Sequence, residues 1–326
     1  MNISSPNLVS FKGYDAAPLK RIYLDYNYCG AFCDELKEIG KKENIDIAIE
    51  DDGTKWGQDH RVIINNNPKP EMLVDYNVSD IFIDAVKNKY NIDTKLSPYY
   101  ITGGNSFLGK FDNGENWLIL GDDAYIEDDV KVTCDYYNVK EENIFPIPQQ
   151  NFHIDMFMRP IGNNNILVND EKTVLESLEK FKDMPDFDKL KYRVEAYFMR
   201  QNAQYAKSEE TIETLKDYGF NPIPVAGVYV PSINFMNAIV NKHSDGTLSY
   251  ITNSTKTPSD RFTLFQENFE QELKEKVPQI KNVYFVEGKK SAANTPDYNY
   301  MMDNLGFNNG GLHCMTMEEP DFDRWA

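Results

Sequence analysis

The sequence predicts an α/β fold. Short apolar runs alternate with amphipathic stretches of helical period along the whole chain. No long linker interrupts the alternation, which groups into five strand–helix–strand units of roughly 60 residues each and favours one domain over 1–326. Apolar residues make up 41% of the chain, with Gly and Pro spread throughout, so the protein is globular.

Taken in order, Arg21–Tyr26 reads as a strand, Ala31–Ile39 as a short helix and Ile45–Ile49 as a second strand. Arg61–Asn65 is apolar enough for another, and a helix near Val78–Lys89 puts Ile81, Phe82, Ala85 and Val86 on one side. A strand ends near Ile101, ahead of Gly103-Gly104-Asn105. Trp117–Leu120 and Ile154–Met158 read as buried strands, with Ile166–Val168 pairing with the latter. Ser208 opens a helix through Thr211–Tyr218, with Glu209 and Glu210 suited to its first turn. A second firm helix covers Phe262–Val277, where Phe262, Phe265, Phe269, Leu273 and Val277 recur on one face. Val225–Tyr229, Ile233–Val240, Leu248–Ile251 and Val283–Val286 are strands, Tyr300–Leu305 is helical, and Phe307–Gly311 is a turn.

The formal net charge of −18 argues against nucleic acid and anionic membrane as partners; it would draw in a cationic small molecule or basic peptide, and it can equally be a solubility device. Cys29, Cys33, Cys134 and Cys314 are too few for a disulfide framework in this length, and reduced thiols are the expectation. The N-terminus has no basic region followed by an apolar stretch, and no run approaches the roughly 20 apolar residues that span a bilayer. A cytoplasmic location is expected.

Two stretches carry chemistry. In Asn151–Pro160, His153 and Asp155 lie two apart in an apolar run, so on a strand both face one way. In Gly310-Gly311-Leu312-His313-Cys314 a cysteine follows a Gly-Gly pair and a histidine. Imidazole, carboxylate and thiol are the parts of a covalent hydrolase if the fold unites them. The plain alternatives are an inert buried cysteine and a strand histidine satisfied by hydrogen bonds. The four histidines and the absence of paired-cysteine or His-Glu-x-x-His spacing give no metal signature. Asp59, close to Trp56, can grip a planar cation or belong to an acidic turn. Gly104 permits close backbone approach beside Asn105, and Asn234 sits among apolar neighbours, where a buried amide needs a partner.

In this order the segments resemble the guanidine-modifying enzymes of the pentein fold, nearest to agmatine deiminases and protein-arginine deiminases. Trp56-Gly57-Gln58-Asp59 is similar to the family's substrate-gripping Trp-x-x-Asp, and Gly103-Gly104-Asn105 to its Gly-Gly-Asn element. His153-Ile154-Asp155 resembles its His-x-Asp core, Ile233-Asn234-Phe235 a substrate-site asparagine segment, and Gly311–Thr316 the Gly-x-His-Cys-x-Thr that carries the nucleophile. Gln58 departs toward the protein-arginine branch, while the tail is nearer the agmatine branch.

The resemblance implies a five-bladed α/β propeller around a central site and a deiminase releasing ammonia through a cysteine thiouronium intermediate. It implies Cys314 as nucleophile, His153 as general acid–base, and Asp59 and Asp155 as guanidinium ligands. Trp56, Gly104, Asn105 and Asn234 would line the substrate site. No cofactor or metal is implied. The partner is a guanidino small molecule or an arginine-containing peptide, and a homodimer is the commonest assembly for such an enzyme. An amidinotransferase, a Cys-His-Asp peptidase or amidase, and a non-catalytic binder of arginine or basic peptides use the same residue types.

Overall fold

The computed structural model describes residues 8–11, 15–25, 32–50, 57–66, 69–74, 78–96, 103–111, 113–122, 130, 134, 139–255, 262–288 and 310–324. The architecture is α/β, as expected. Four sheets have three strands, one has four, and a two-stranded ribbon pairs Val228–Val230 with Ile233–Asn234.

One ladder pattern recurs in all five larger sheets: an antiparallel pair, then a parallel strand. Ser106–Lys110 pairs antiparallel with Asn116–Gly121, which runs parallel to Ile144–Ile147. Met158–Pro160, Asn165–Asn169 and Asn221–Val225 repeat the arrangement, as do Ile239–Lys242, Leu248–Asn253 and Ile280–Val286. In the four-stranded sheet Arg61–Asn66, Lys69–Val74 and Asp93–Leu96 follow it, with Leu8–Phe11 added at the edge. The fifth sheet joins the chain's two ends: Thr316–Pro320 lies antiparallel to Leu19–Asp25, which is parallel to Asp46–Glu50.

A parallel step needs a crossover, and helices supply it. Cys33–Glu43, Asp80–Tyr90 and Thr263–Lys276 each bridge one such step. The step from Asn165–Asn169 to Asn221–Val225 holds three helices, Glu171–Leu178, Phe187–Gln201 and Ser208–Asp217. Apolar faces meet between helices and sheets, as where Phe265 and Phe269 pack on Tyr229, Phe235 and Tyr250.

Several expectations are corrected. Ile154–Met158 is not one strand: Ile154–Met156 forms a 3-10 turn and only Met158–Pro160 pairs. It does pair with Asn165–Asn169, as expected. The turn forms because Asn105 Oδ1 accepts the Ile154 N–H at 3.2 Å and Met156 N–H returns to the His153 carbonyl at 3.3 Å. Ile233–Val240 is split, because Asn234 Oδ1 accepts the N–H groups of Met236 and Asn237 and bends the chain. Val225–Tyr229 is likewise two strands, broken around Gly227. The helices over 171–201 are additional to the expected set. Cys33 is disulfide-bonded, against the reduced-thiol expectation; a cysteine count weighs a framework and says little about one bond. Tyr300–Leu305 and residues 307–309 lie outside the described residues. Among the described residues no helix is long and apolar enough to cross a membrane.

Candidate active site

The Cys314 segment is a single helical turn, Leu312–Met315, feeding the strand Thr316–Pro320. Two asparagine carboxamides hold it, and a third links them onward. Asn253 Oδ1 accepts the Leu312 N–H at 2.8 Å. Asn237 Oδ1 accepts those of His313 and Cys314 at 2.9 and 3.3 Å. Asn253 Nδ2 donates to the Asn234 and Asn237 carbonyls at 2.9 and 3.0 Å, and Asn234 Nδ2 to the Met156 carbonyl at 2.9 Å. The amides therefore tie the cysteine turn to the His153–Asp155 turn. Gly311 is required here: a Cβ would come within 2.6 Å of Asn253 Oδ1 and 2.8 Å of Asn237 Oδ1.

Asp155 and Cys314 are brought together. Asp155 is 1% exposed and Cys314 3%, and Sγ lies 3.3 Å from Asp155 Oδ2. The same oxygen is 2.8 Å from His313 Nδ1 and 2.9 Å from Asn237 Nδ2. With the aspartate ionised, Nδ1 carries the imidazole proton toward it. Asp155 Oδ1, though buried, has no hydrogen-bond partner among the described residues. The Phe107 ring lies 6.1 Å from that of His313, and Arg159 sits over the Phe107 ring at 5.4 Å while bonding Glu318 at 3.0 Å.

His153 precedes the 3-10 turn in extended backbone conformation, half-buried beside Phe152. A Cβ built on Gly104 would collide with His153 Nδ1 and would lie 3.2 Å from Asp155 Oδ1. Gly104 thus lets imidazole and carboxylate approach one backbone position. The approach is that of protein side chains, and the same-face argument for a strand does not apply to a 3-10 turn.

The remaining sequence candidates are placed as follows. Asn105 braces the site with both ends of its amide, through Ile154 N–H and Gln149 Oε1. Asn234 is engaged by Met156 O, Met236 N and Asn237 N. Asp59 belongs to the helical turn Gly57–His60, whose Gly57 lies against the Met315 carbonyl, with a built Cβ 3.4 Å from that oxygen. The Asp59 side chain and Trp56 lie outside what the structure describes. Sequence reasoning passed over Asn237 and Asn253 and took His313 only as context. The buried-amide argument applied to Asn234 extends to Asn237, three residues on in the same apolar run. Among the described residues, no group of three His, Cys, Asp or Glu is placed to hold a metal ion.

A buried thiol against a His–Asp pair is the core of a cysteine-dependent catalytic site. No protein-family model matches the sequence, and no curated protein matches it. Solved structures do match. C. jejuni agmatine deiminase superposes with a TM-score of 0.58 at 14% identity, covering 98% of this chain and 99% of that one. Its cysteine-to-serine variant with substrate bound gives 0.55 at 13%, over 98% and 99%. A candidate peptidyl-arginine deiminase gives 0.54 at 12%, over 96% and 99%. The chain shares the fold of these deiminases.

Proposed function

We propose that this protein is a cysteine-dependent deiminase of a guanidino compound, with its five sheets arranged as the blades of a propeller around the Cys314 site. The observation that carries the reading is the Asp155 carboxylate. One oxygen touches the sulfur, and the other is buried near Gly104 with no hydrogen-bond partner among the described residues. A buried anionic oxygen without a donor is costly unless a charged donor docks on it. A flat cation there would present its central carbon toward sulfur.

Asp59, on the turn packed against Met315, supplies the second carboxylate in this reading. Cys314 attacks the guanidinium carbon, forming a C–S bond. His153 gives its proton to the departing amine, which leaves as ammonia, and then takes a proton from water. The hydroxide adds to the thiouronium carbon, the C–S bond breaks, and a ureido product leaves the thiol restored. The net charge of −18 would steer a cation inward. Agmatine, arginine and peptidyl-arginine are the substrates to compare, by analogy with the agmatine deiminase and the candidate peptidyl-arginine deiminase of the same fold.

An acyl-transferring peptidase or amidase fits less well. Such a site needs backbone N–H groups near the nucleophile, free to receive an oxyanion. Those of Leu312, His313 and Cys314 are all bonded to Asn253 or Asn237.

The test is ammonia and ureido product release over a guanidino panel that includes an arginine-containing peptide. Cys314→Ala abolishes release from whichever member is turned over. An unchanged rate in that variant ends the proposal. Product formed only when an acceptor amine is added would replace hydrolysis by amidino transfer.

A further inference from the structure

Asn237 is anchored in a way that leaves its amide only one orientation. Its oxygen accepts two consecutive backbone N–H groups, from His313 at 2.9 Å and Cys314 at 3.3 Å. Turning the amide over would set its NH2 against both donors, so the nitrogen must face the other way. There Nδ2 meets Cys314 Sγ at 3.1 Å and Asp155 Oδ2 at 2.9 Å, with Met156 Sδ at 3.6 Å. The two hydrogens of one NH2 group therefore serve the sulfur and the carboxylate together. All these atoms are buried, where such bonds are stronger than in water.

This donor sits opposite an acceptor. Sγ lies 3.3 Å from Asp155 Oδ2, the oxygen that also meets His313 Nδ1 at 2.8 Å. A carboxylate in contact with sulfur opposes a second negative charge, whereas an N–H donor favours it. We infer that Asn237 is a catalytic residue, whose side-chain N–H holds Cys314 as the thiolate beside Asp155 while its oxygen fixes the turn that carries the cysteine. This deepens the deiminase reading and rests on it for the role of the thiolate. The ionisation itself does not depend on which substrate is used.

Asn237→Asp separates the two tasks. It keeps an oxygen for the His313 and Cys314 N–H groups and replaces the donor by a second carboxylate oxygen. Asn253→Ala is the control: it loosens the same turn at Leu312 but does not touch sulfur. Thiolate absorbance is titrated in the whole protein and corrected with Cys314→Ala. The midpoint in Asn237→Asp rises by at least about one pH unit, a tenfold loss of thiolate at fixed pH, and in Asn253→Ala it moves by less. Equal shifts in both variants, or none in Asn237→Asp, overturn the inference.

The wild-type protein gives a reading that needs no foldable variant. The Asn237 side-chain NH2 resonance shifts with the thiol's own midpoint, and that step vanishes in Cys314→Ala. A resonance indifferent to the thiol's ionisation also overturns the inference. Should no guanidine release ammonia while the midpoint still moves, the deiminase reading falls and Asn237 keeps its effect on the thiol.

Discussion

Two buried carboxylates, each joined to a histidine, are used in opposite ways. Glu43 ends the helix Cys33–Glu43 and has both oxygens occupied. Its Oε1 accepts from Tyr284 at 2.8 Å and Asn282 at 3.4 Å, and its Oε2 from Asn241 at 3.2 Å, with His243 Nε2 also at 3.2 Å. Asp155 instead gathers His313, Asn237 and Cys314 on Oδ2 and leaves Oδ1 without a hydrogen-bond partner among the described residues. A carboxylate that only joins elements gains most when donors fill both oxygens. One that keeps a buried oxygen idle carries a desolvation cost that packing alone does not recover. Glu43 is a joint between a helix and a sheet; Asp155, on the proposed reading, is a place for a cation.

Asp155→Asn tests that contrast most strongly. It keeps the shape and removes the charge, so kcat/KM for the guanidino substrate falls by at least about 100-fold, as for a severed buried charge contact. The melting temperature changes little. Steady-state ammonia release and a thermal melt check both halves. A variant that turned over normally but melted early would make Asp155 another Glu43.

A third buried carboxylate shows what an uncompensated charge costs. Asp15 accepts the Ala16 N–H at 2.9 Å and the Gly162 N–H at 2.5 Å, both on one oxygen. Burial pushes its pKa up to about 6, against the lowering pull of those bonds and of Lys242 and Arg159. Between the unfolded value of 3.8 and about 6 the native state holds a proton that the unfolded chain has released. Stability therefore falls as pH rises through this window, and the loss is complete above it. Asp15→Asn removes the slope and raises unfolding free energy at neutral pH by at most on the order of 3 kcal/mol. Denaturant unfolding across pH reads it out; an unaltered slope would assign the window to other groups.

Glu43→Gln puts a donor where an acceptor is needed and cannot satisfy Tyr284, Asn282, Asn241 and His243 together. The expected cost is about 1–3 kcal/mol in urea unfolding, with turnover unchanged because nothing at this joint touches Cys314. A loss of activity at full stability would dissolve the distinction between the two carboxylates.

Much of this was legible in the sequence, for identifiable reasons. The helices Ser208–Asp217 and Thr263–Lys276 carry regular apolar spacing, and the structure places them within a residue or so of that reading. Cys314 stood out after a Gly-Gly pair and a histidine, and Asp155 as a carboxylate in an apolar run, and the two do meet. The strand assigned to Ile154–Met158 failed because Asn105, 49 positions away, supplies the bond that turns the chain. Pattern within a window does not contain that contact. Asn237 and Asn253 were illegible as a pair for the same reason: their meaning is the turn at 311–314, which lies far along the chain from both. The recurring ladder was hidden because sheet order depends on pairing, while the five units share no repeated residues.

The two histidines sharpen the contrast at its smallest scale. His243 is 29% exposed at its side chain, and its Nε2 also lies 2.8 Å from Ser249 Oγ. If it is removed, Asn282 still reaches Ser249 at 3.1 Å, Asn241 still holds Glu43 Oε2, and water can enter at the exposed edge. His243→Ala should therefore cost no more than about 1 kcal/mol, as for other ion pairs open to solvent. Among the described residues His313 has no such replacement: it is wholly buried, and its loss leaves Asp155 Oδ2 with Asn237 and the thiol beside it. Paired unfolding curves for the two alanine variants decide the matter. A His243→Ala cost above that of Glu43→Gln would mean that the joint depends on its ion pair and not on the three neutral donors around it.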